Sequence, residues 1–309
     1  MVNRRGFFKN ASALALGTIL LPEAFWGNNL LKNEKVIGFE RKKSGAIGLQ
    51  LYSVKDILEK DLKGTLQQLA DIGYKEIESY PGSKGHYYGM KPKVFSSMLK
   101  DMGMKLISSH FGSGTREGKA ESWYHATMLT RFDELVQNAA ETGQKYLTCS
   151  WMDKGLRNSP DDLKKTAELF NSVGETCKNA GLQFAYHNHA FEFEKIGDSV
   201  LYDFMLENTD PELVQWEMDI FWLVAGNYDP IAYFKKYPNR FPLGHIKDMD
   251  KQDMKNSTEI GNGSINYSHI LKEAKKYGMQ HFIVEQENFT RPSMDSMRIN
   301  HKNLSGLKL

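Results

Sequence analysis

The chain has 309 residues with 40 basic against 38 acidic side chains, a net charge of +2; this near balance does not suit a nucleic-acid partner, and the length fits one large or two ordinary domains. Apolar residues at 40% and aromatics at 12% supply enough core to exclude a disordered or fibrous chain. Cys149 and Cys177 are too few for a disulfide scaffold and lack the paired spacing of a zinc ribbon, so both read as small buried side chains.

At the N-terminus, Asn3-Arg4-Arg5-Gly6-Phe7-Phe8-Lys9 precedes a modest apolar run over 11–21. The order resembles a twin-arginine export signal, a route suited to a protein that folds around a metal before crossing the membrane. The alternative is a membrane anchor, but spanning a bilayer takes about 20 apolar residues; this run is shorter, contains Gly17 and stops at Pro22. The expected division is therefore a signal peptide over 1–30, a polar linker over 31–43 and a folded domain over 44–309. It implies a periplasmic protein with no stable membrane insertion once the signal is removed.

One phrase then recurs along the chain: an amphipathic helix, a glycine, one or two residues and a short apolar strand. Gly73, Gly103, Gly143, Gly181 and Gly278 occupy the glycine position. Each is a candidate helix C-cap, because glycine takes the left-handed conformation that ends a helix without a Cβ penalty. The alternation predicts strands over 46–53, 76–79, 105–110, 146–151, 183–189, 214–221, 241–247 and 282–287. Helices are predicted between them, among them 61–72, 92–102, 123–142, 160–180, 265–277 and 293–304. Eight strands in such an order predict a single-domain α/β (β/α)8 TIM barrel. A doubly wound open sheet is the alternative, but its usual glycine-rich phosphate loop is missing after the first strand, which ends Leu49-Gln50-Leu51-Tyr52-Ser53.

In such a barrel the functional groups gather where the strands end at the C-terminal face. The fifth strand ends Tyr186-His187-Asn188-His189 and continues to Glu192; the sixth ends Glu217-Met218-Asp219. The seventh ends His245-Ile246-Lys247-Asp248, and the eighth Glu285-Gln286-Glu287. A lone strand-end histidine is more often a hydrogen-bonded surface or core residue than a ligand, and a lone aspartate a helix cap; four consecutive strands ending this way are harder to dismiss. Alternation puts His187 and His189 on one face, and likewise Glu217 and Asp219. Glu217 lies deeper and is either a site group or the partner of a buried Lys or Arg. Mixed imidazole and carboxylate ligands suit Mn²⁺, Zn²⁺, Co²⁺ or Fe²⁺, with Mn²⁺ the ion expected here.

These strand ends resemble the sugar isomerase/epimerase superfamily of xylose isomerase-like barrels over nearly all of the mature region. The resemblance implies one divalent ion held by His187, Asp219, His245 and Glu285. Epimerases of that superfamily resemble one another in carrying Glu at the strand-five position, opposed to the strand-eight Glu as an acid/base pair, and this chain has His187 there. The Tyr186-His187-Asn188-His189 and His245-Ile246-Lys247-Asp248 segments are more similar to the inosose dehydratase branch, which shifts the expectation toward elimination.

The expected chemistry is removal of a proton next to a carbonyl, with the metal stabilising the growing enolate. His189 and Glu192 are the candidate bases, Glu285 the opposed acid/base group, and Lys247 an acid or electrostatic stabiliser. His110, Trp222, Trp151 and Gln50 are candidate substrate contacts. An exported enzyme meets unphosphorylated keto-sugars or keto-glycosides, so isomerisation or epimerisation and β-elimination from a 3-keto-glycoside stand side by side. A non-catalytic exported sugar-binding protein and an abasic-site endonuclease are the readings from other classes; the near-neutral charge disfavours the second. A small sugar-like molecule is the expected partner, and the chain is compatible with self-association.

Overall fold

The computed structural model describes residues 46–114 and 126–307; the expected signal peptide and linker lie outside them. Eight parallel strands form the framework: β1 (Ile47–Gln50), β2 (Glu76–Ser79), β3 (Lys105–Gly112), β4 (Tyr146–Trp151), β5 (Gln183–His187), β6 (Val214–Asp219), β7 (Leu243–Ile246) and β8 (His281–Val284). Closure is direct, because β1 pairs with β2 (Leu49 opposite Ile77) and also with β8 (Leu49 opposite Val284). The ring runs β1-β8-β7-β6-β5-β4-β3-β2, a TIM barrel, and excludes the open doubly wound sheet.

The recurring glycines act as expected. Gly73, Gly103, Gly143, Gly181 and Gly278 all have positive φ, from 74° to 120°, and sit at or just past helix ends, where the chain turns into the next strand. The first and last strands are shorter than the expected 46–53 and 282–287 and the third runs on to Gly112; in two further elements a local hydrogen bond accounts for the difference. The helix expected over 123–142 is Phe132–Thr142, with 123–125 outside the described residues; Thr127 and Thr130 bond through their hydroxyls at 2.8 Å and Arg131 is left-handed, so 127–131 turns before the helix starts. The sixth strand stops at Asp219 rather than 221 because the Asp219 side chain accepts the Trp222 N–H and caps the helix Ile220–Ala225.

The barrel interior is layered. At its lower level Ile107, Tyr146, Ala185, Leu243 and Ile283 form an apolar cluster separate from the main core between strands and helices. Two residues further along the strands, on the same face, Ala185 leads to His187, Leu243 to His245 and Ile283 to Glu285. The β3 strand breaks the parity: Ile77 pairs with Leu106 but Glu78 with Ser108, an extra residue in β3 at Ile107. Such a bulge flips the alternation beyond it and turns His110 inward.

Candidate metal centre and active site

Asp219, His245 and Glu285 converge at the C-terminal mouth, and His187 approaches them beside Asp219. His245 Nδ1 lies 3.2 Å from Glu285 Oε2 and 4.0 Å from Asp219 Oδ2, and His187 Nε2 lies 3.9 Å from the same Asp219 oxygen. A cation bonded at about 2.0–2.2 Å brings ligand atoms to separations of this order. Asp219, His245 and Glu285 also each offer a ligand atom within 4.8 Å of the others. Asp219 Oδ2 is buried without a directional hydrogen bond, although the Lys247 ammonium stands 2.9 Å away. Two imidazoles and two carboxylates, with the inward oxygen of Asp219 left without a directional hydrogen bond, fit a divalent first-row ion.

Asp219 is held by groups on both sides. Asn188 Oδ1 accepts the Asp219 N–H at 3.0 Å and Asn188 Nδ2 donates to the Asp219 carbonyl at 3.2 Å. Asp219 Oδ1 is occupied by the Trp222 N–H at 3.1 Å, which leaves Oδ2 to face the site. Lys247 is almost fully enclosed and its Nζ meets Asp219 at 2.9 Å, Glu285 at 2.8 Å and Glu287 at 2.7 Å. Burial opposes its charge, but the three carboxylates outweigh that and hold its pKa well above the usual lysine value.

Beneath the ligands lies a ladder of carboxylates and imidazoles. His110 Nε2 is 2.8 Å from Glu217 and 3.0 Å from Glu78; His187 Nδ1 is 3.0 Å from Glu217, and His245 Nε2 is 2.7 Å from Glu78. The partners of Glu217 are thus imidazoles, not a Lys or Arg. Burial disfavours charge on His110, yet Glu78 and Glu217 push its pKa up to about 9. Burial and the neighbouring Glu78 raise Glu217 to about 7. His187 is held well below its usual range by burial and by the neighbouring His245, His189, His110 and Lys247, which leaves it neutral and able to donate a lone pair.

A cavity of about 360 Å³ opens above this cluster. Tyr52 and Tyr80, from the ends of β1 and β2, line it together with Trp151, His189 and Trp222 from the ends of β4, β5 and β6, while Glu285 and Glu287 reach it from β8. No Lys or Arg occurs among the described lining residues. The His189 ring stands 5.0 Å from that of His187, 5.4 Å from Trp151 and 6.1 Å from Trp222, so both histidines of the fifth strand end face the site.

Two expected site residues lie behind this wall. Glu192 is fully buried, its Oε1 accepting from the Tyr186 hydroxyl at 2.6 Å and its Oε2 from the His189 N–H at 2.8 Å. Gln50 is also buried and donates to Glu78 at 2.9 Å. His110, Trp151 and Trp222 do line the cavity. Reasoning from the sequence missed Glu78, Asn188, Tyr52 and Tyr80; the available signal for Glu78 was an acidic residue inside a short strand whose partners are buried.

A closed eight-stranded barrel with a metal-ligand cluster at its C-terminal mouth defines a class, and comparison with known proteins gives the family. The model of the xylose isomerase-like TIM barrel family matches residues 66–304, and the chain belongs to that family. An inosose dehydratase of Lacticaseibacillus casei is 24% identical over 257 residues, 74% of this chain and 84% of the relative. One of Clostridium tetani is 30% identical over 206 residues, 64% of this chain and 66% of the relative. The crystal structure of a sugar phosphate isomerase/epimerase from Parabacteroides distasonis superposes with a TM-score of 0.73 at 30% identity, over 87% of this chain and 96% of that one. The relatives are sugar-modifying enzymes.

Proposed function

We propose that this chain is a divalent-metal-dependent carbohydrate enzyme that removes the proton next to the carbonyl of an unphosphorylated keto-polyol or keto-glycoside and then expels a β-substituent. The supporting observation is the convergence of Asp219, His245 and Glu285, with His187 beside Asp219, beneath an aromatic-walled cavity. When bound, the ion supplies Lewis-acid polarisation of the ketone oxygen. Mn²⁺, the ion expected from the sequence, is one of several that this donor set accommodates, along with Zn²⁺, Co²⁺ and Fe²⁺.

The chain's own residues do the rest. Tyr52, Tyr80, Trp151 and Trp222 offer ring faces against which a sugar can stack, and the carboxylates of Glu285 and Glu287 at the cavity surface disfavour a phosphorylated ligand. His189 is the group we assign to take the proton: its ring lines the cavity, while Glu192 anchors its backbone from behind and acts as a positioning residue. Against the effect of burial, Lys247 and His245 hold the Glu285 carboxylate ionised, well below its ordinary pKa, so Glu285 serves as a ligand at the opposite strand end, and the proton taken up by His189 is the one passed on to the departing group.

Elimination is preferred because His187 takes the strand-five position and lies only 2% exposed among the ligands, so it is not an accessible acid/base partner for a substrate face. The likeness to a structure described as an isomerase/epimerase favours the second reading, in which the proton returns to a neighbouring carbon instead. Incubating the purified protein with each of the four metals and a 3-keto-glycoside distinguishes them: elimination releases the aglycone, isomerisation gives an isomer with the aglycone attached. No reaction, with sugar affinity intact and no metal bound, leaves the non-catalytic sugar-binding protein. The exported, periplasmic location is an inference from the N-terminal sequence alone, and fractionation of the native host tests it.

A further inference from the structure

We propose that Glu78 and Glu217, linked through His110, are positioning residues that hold the two ligand imidazoles from their far sides and fix which ring nitrogen of each faces the metal. The inference rests on the metal reading above.

A histidine ligand presents a lone pair on one ring nitrogen while the other carries a proton that needs an acceptor. In His187 the nitrogen toward Asp219 is Nε2, and Nδ1 is 3.0 Å from Glu217 Oε2. In His245 the arrangement is reversed: Nδ1 faces Glu285 and Asp219, and Nε2 is 2.7 Å from Glu78 Oε2. Glu217 thus offers an acceptor for Nδ1–H of His187 and Glu78 one for Nε2–H of His245, so that the opposite nitrogen of each ring would be the one free to bind a cation, once the cation replaces the proton that His245 Nδ1 shares with Glu285. An imidazole whose far N–H meets a carboxylate is also a more basic and better oriented ligand. His110 Nε2 lies within hydrogen-bond distance of both carboxylates, at 2.8 Å and 3.0 Å, so the two arms share one imidazole. The Gln50 amide secures Glu78 at 2.9 Å, and Gln50 Oε1 in turn accepts the Tyr52 N–H at 3.1 Å.

Stability does not account for this arrangement. Glu78 and Glu217 are both fully enclosed, and each keeps one oxygen, Oε1, with no hydrogen-bond partner. Apolar side chains of similar size fill such space at lower cost than two buried carboxylates, each with one oxygen unpaired. Nor does Glu217 read as a ligand in its own right, although its oxygen and the nitrogens of His110, His187 and His245 form a compact group. Its Oε2 is 2.8 Å, 3.0 Å and 3.3 Å from those three nitrogens, at the point where a cation bound by all three would have to stand.

The test is a double-mutant cycle on Zn²⁺ affinity, measured with the metal-free full chain against a chromophoric chelator. Glu217→Gln is expected to weaken Zn²⁺ binding about 10- to 100-fold, and so is Glu78→Gln. In a His187→Ala background, Glu217→Gln should lose most of its effect, keeping only what it transmits through His245 and His110, while Glu78→Gln keeps most of its own, since the coupling is largest between groups in direct contact. Nitrogen-15 spectra of the Zn²⁺-loaded wild type should show His187 bound through Nε2 and His245 through Nδ1. If Glu217→Gln fails to fold, as judged by thermal unfolding without metal, the Glu78→Gln cycle in a His245→Ala background asks the same question of the other arm. Wild-type affinity in the folded glutamine variants, a loss that persists in full when the cognate histidine is absent, or the reverse ring nitrogens would overturn the proposal and leave the metal reading standing. A wild-type chain that binds no Zn²⁺, Mn²⁺, Co²⁺ or Fe²⁺ removes both.

Discussion

The two halves of the barrel meet at one mouth and contribute different chemistry to it. Strands β5 to β8 end in His187, Asp219, His245 and Glu285, the candidate ligands, whose donor atoms approach one another in pairs at 3.2–4.0 Å. Strands β1 to β4 supply none of that set. They bring Gln50, Glu78 and His110 to the underside of the ligands, and Tyr52, Tyr80 and Trp151 to the cavity wall. Atoms that bind a cation need the right element at the right distance, whereas atoms that orient them need burial and a second contact. The barrel separates these demands by placing them on different strands.

The largest expected effect comes from breaking the ligand half. Asp219→Asn keeps an oxygen to cap the Trp222 N–H but removes the charge that the metal needs. Metal affinity and turnover should each fall on the order of 10³-fold, since a bound ion contributes several kcal/mol to a developing negative charge. Thermal stability without metal should change little. Metal content measured on the purified variant checks this, and undiminished content would mean that Asp219 is a helix cap alone.

Next in size is a pH effect seated behind the cavity wall. Burial, only partly offset by hydrogen bonds from Tyr186 and the His189 N–H, raises the Glu192 carboxyl from 4.5 to about 7. Between those values the folded chain keeps a proton that the unfolded chain has released. Folding stability contributed by this group is therefore fully present below about pH 4.5 and is lost as pH rises toward 7, by up to about 3 kcal/mol. Urea unfolding at pH 5 and pH 7 should show that decline in the wild type, and Glu192→Gln should flatten it. An unchanged slope in the variant would assign the pH dependence to other groups.

The same division explains what the sequence made legible. All eight strands were readable, because glycine caps and apolar runs are local signals, and the candidate ligands could be picked out, because their residue types stand at strand ends. The ends of β5 and β6 were overextended: Asn188 leaves the fifth strand to clasp the Asp219 backbone, and Asp219 turns to cap a helix. The supporting half was harder to see. Glu78 and its partner His245 are 167 residues apart, and nothing in Glu76-Ile77-Glu78-Ser79 says which glutamate is enclosed by histidines. His110 faces inward only because of the extra residue in β3, which periodicity alone does not reveal. Glu192 looked like a base because it is acidic and near His189, yet its burial and its two donors come from contacts that form only in the folded loop.

The cavity wall sharpens the contrast with a smaller effect. Trp222 follows the ligand Asp219 by three residues but serves the substrate side, with its ring in the lining. Trp222→Leu removes a stacking face of about 1–1.5 kcal/mol, so KM for a keto-glycoside should rise about tenfold while kcat changes by much less. A fall in kcat with KM unchanged would instead place Trp222 in the chemistry, through its packing against His189.

The smallest expected effect concerns what the two halves share. Gly103 precedes β3 and Gly181 precedes β5, at φ of 76° and 78°, and a Cβ built on either meets nothing within 4 Å. Alanine at each position therefore tests the left-handed backbone alone, with no packing change to confuse it. Each substitution should cost about 1–2 kcal/mol in thermal unfolding, the same in both halves, and leave metal affinity untouched. Equal costs would show a scaffold built from one repeated junction, on which only the strand ends differ. If Gly181→Ala weakened metal binding while Gly103→Ala did not, the helix-to-strand junction before β5 would be coupled to His187, and the separation of scaffold from site would fail at that strand.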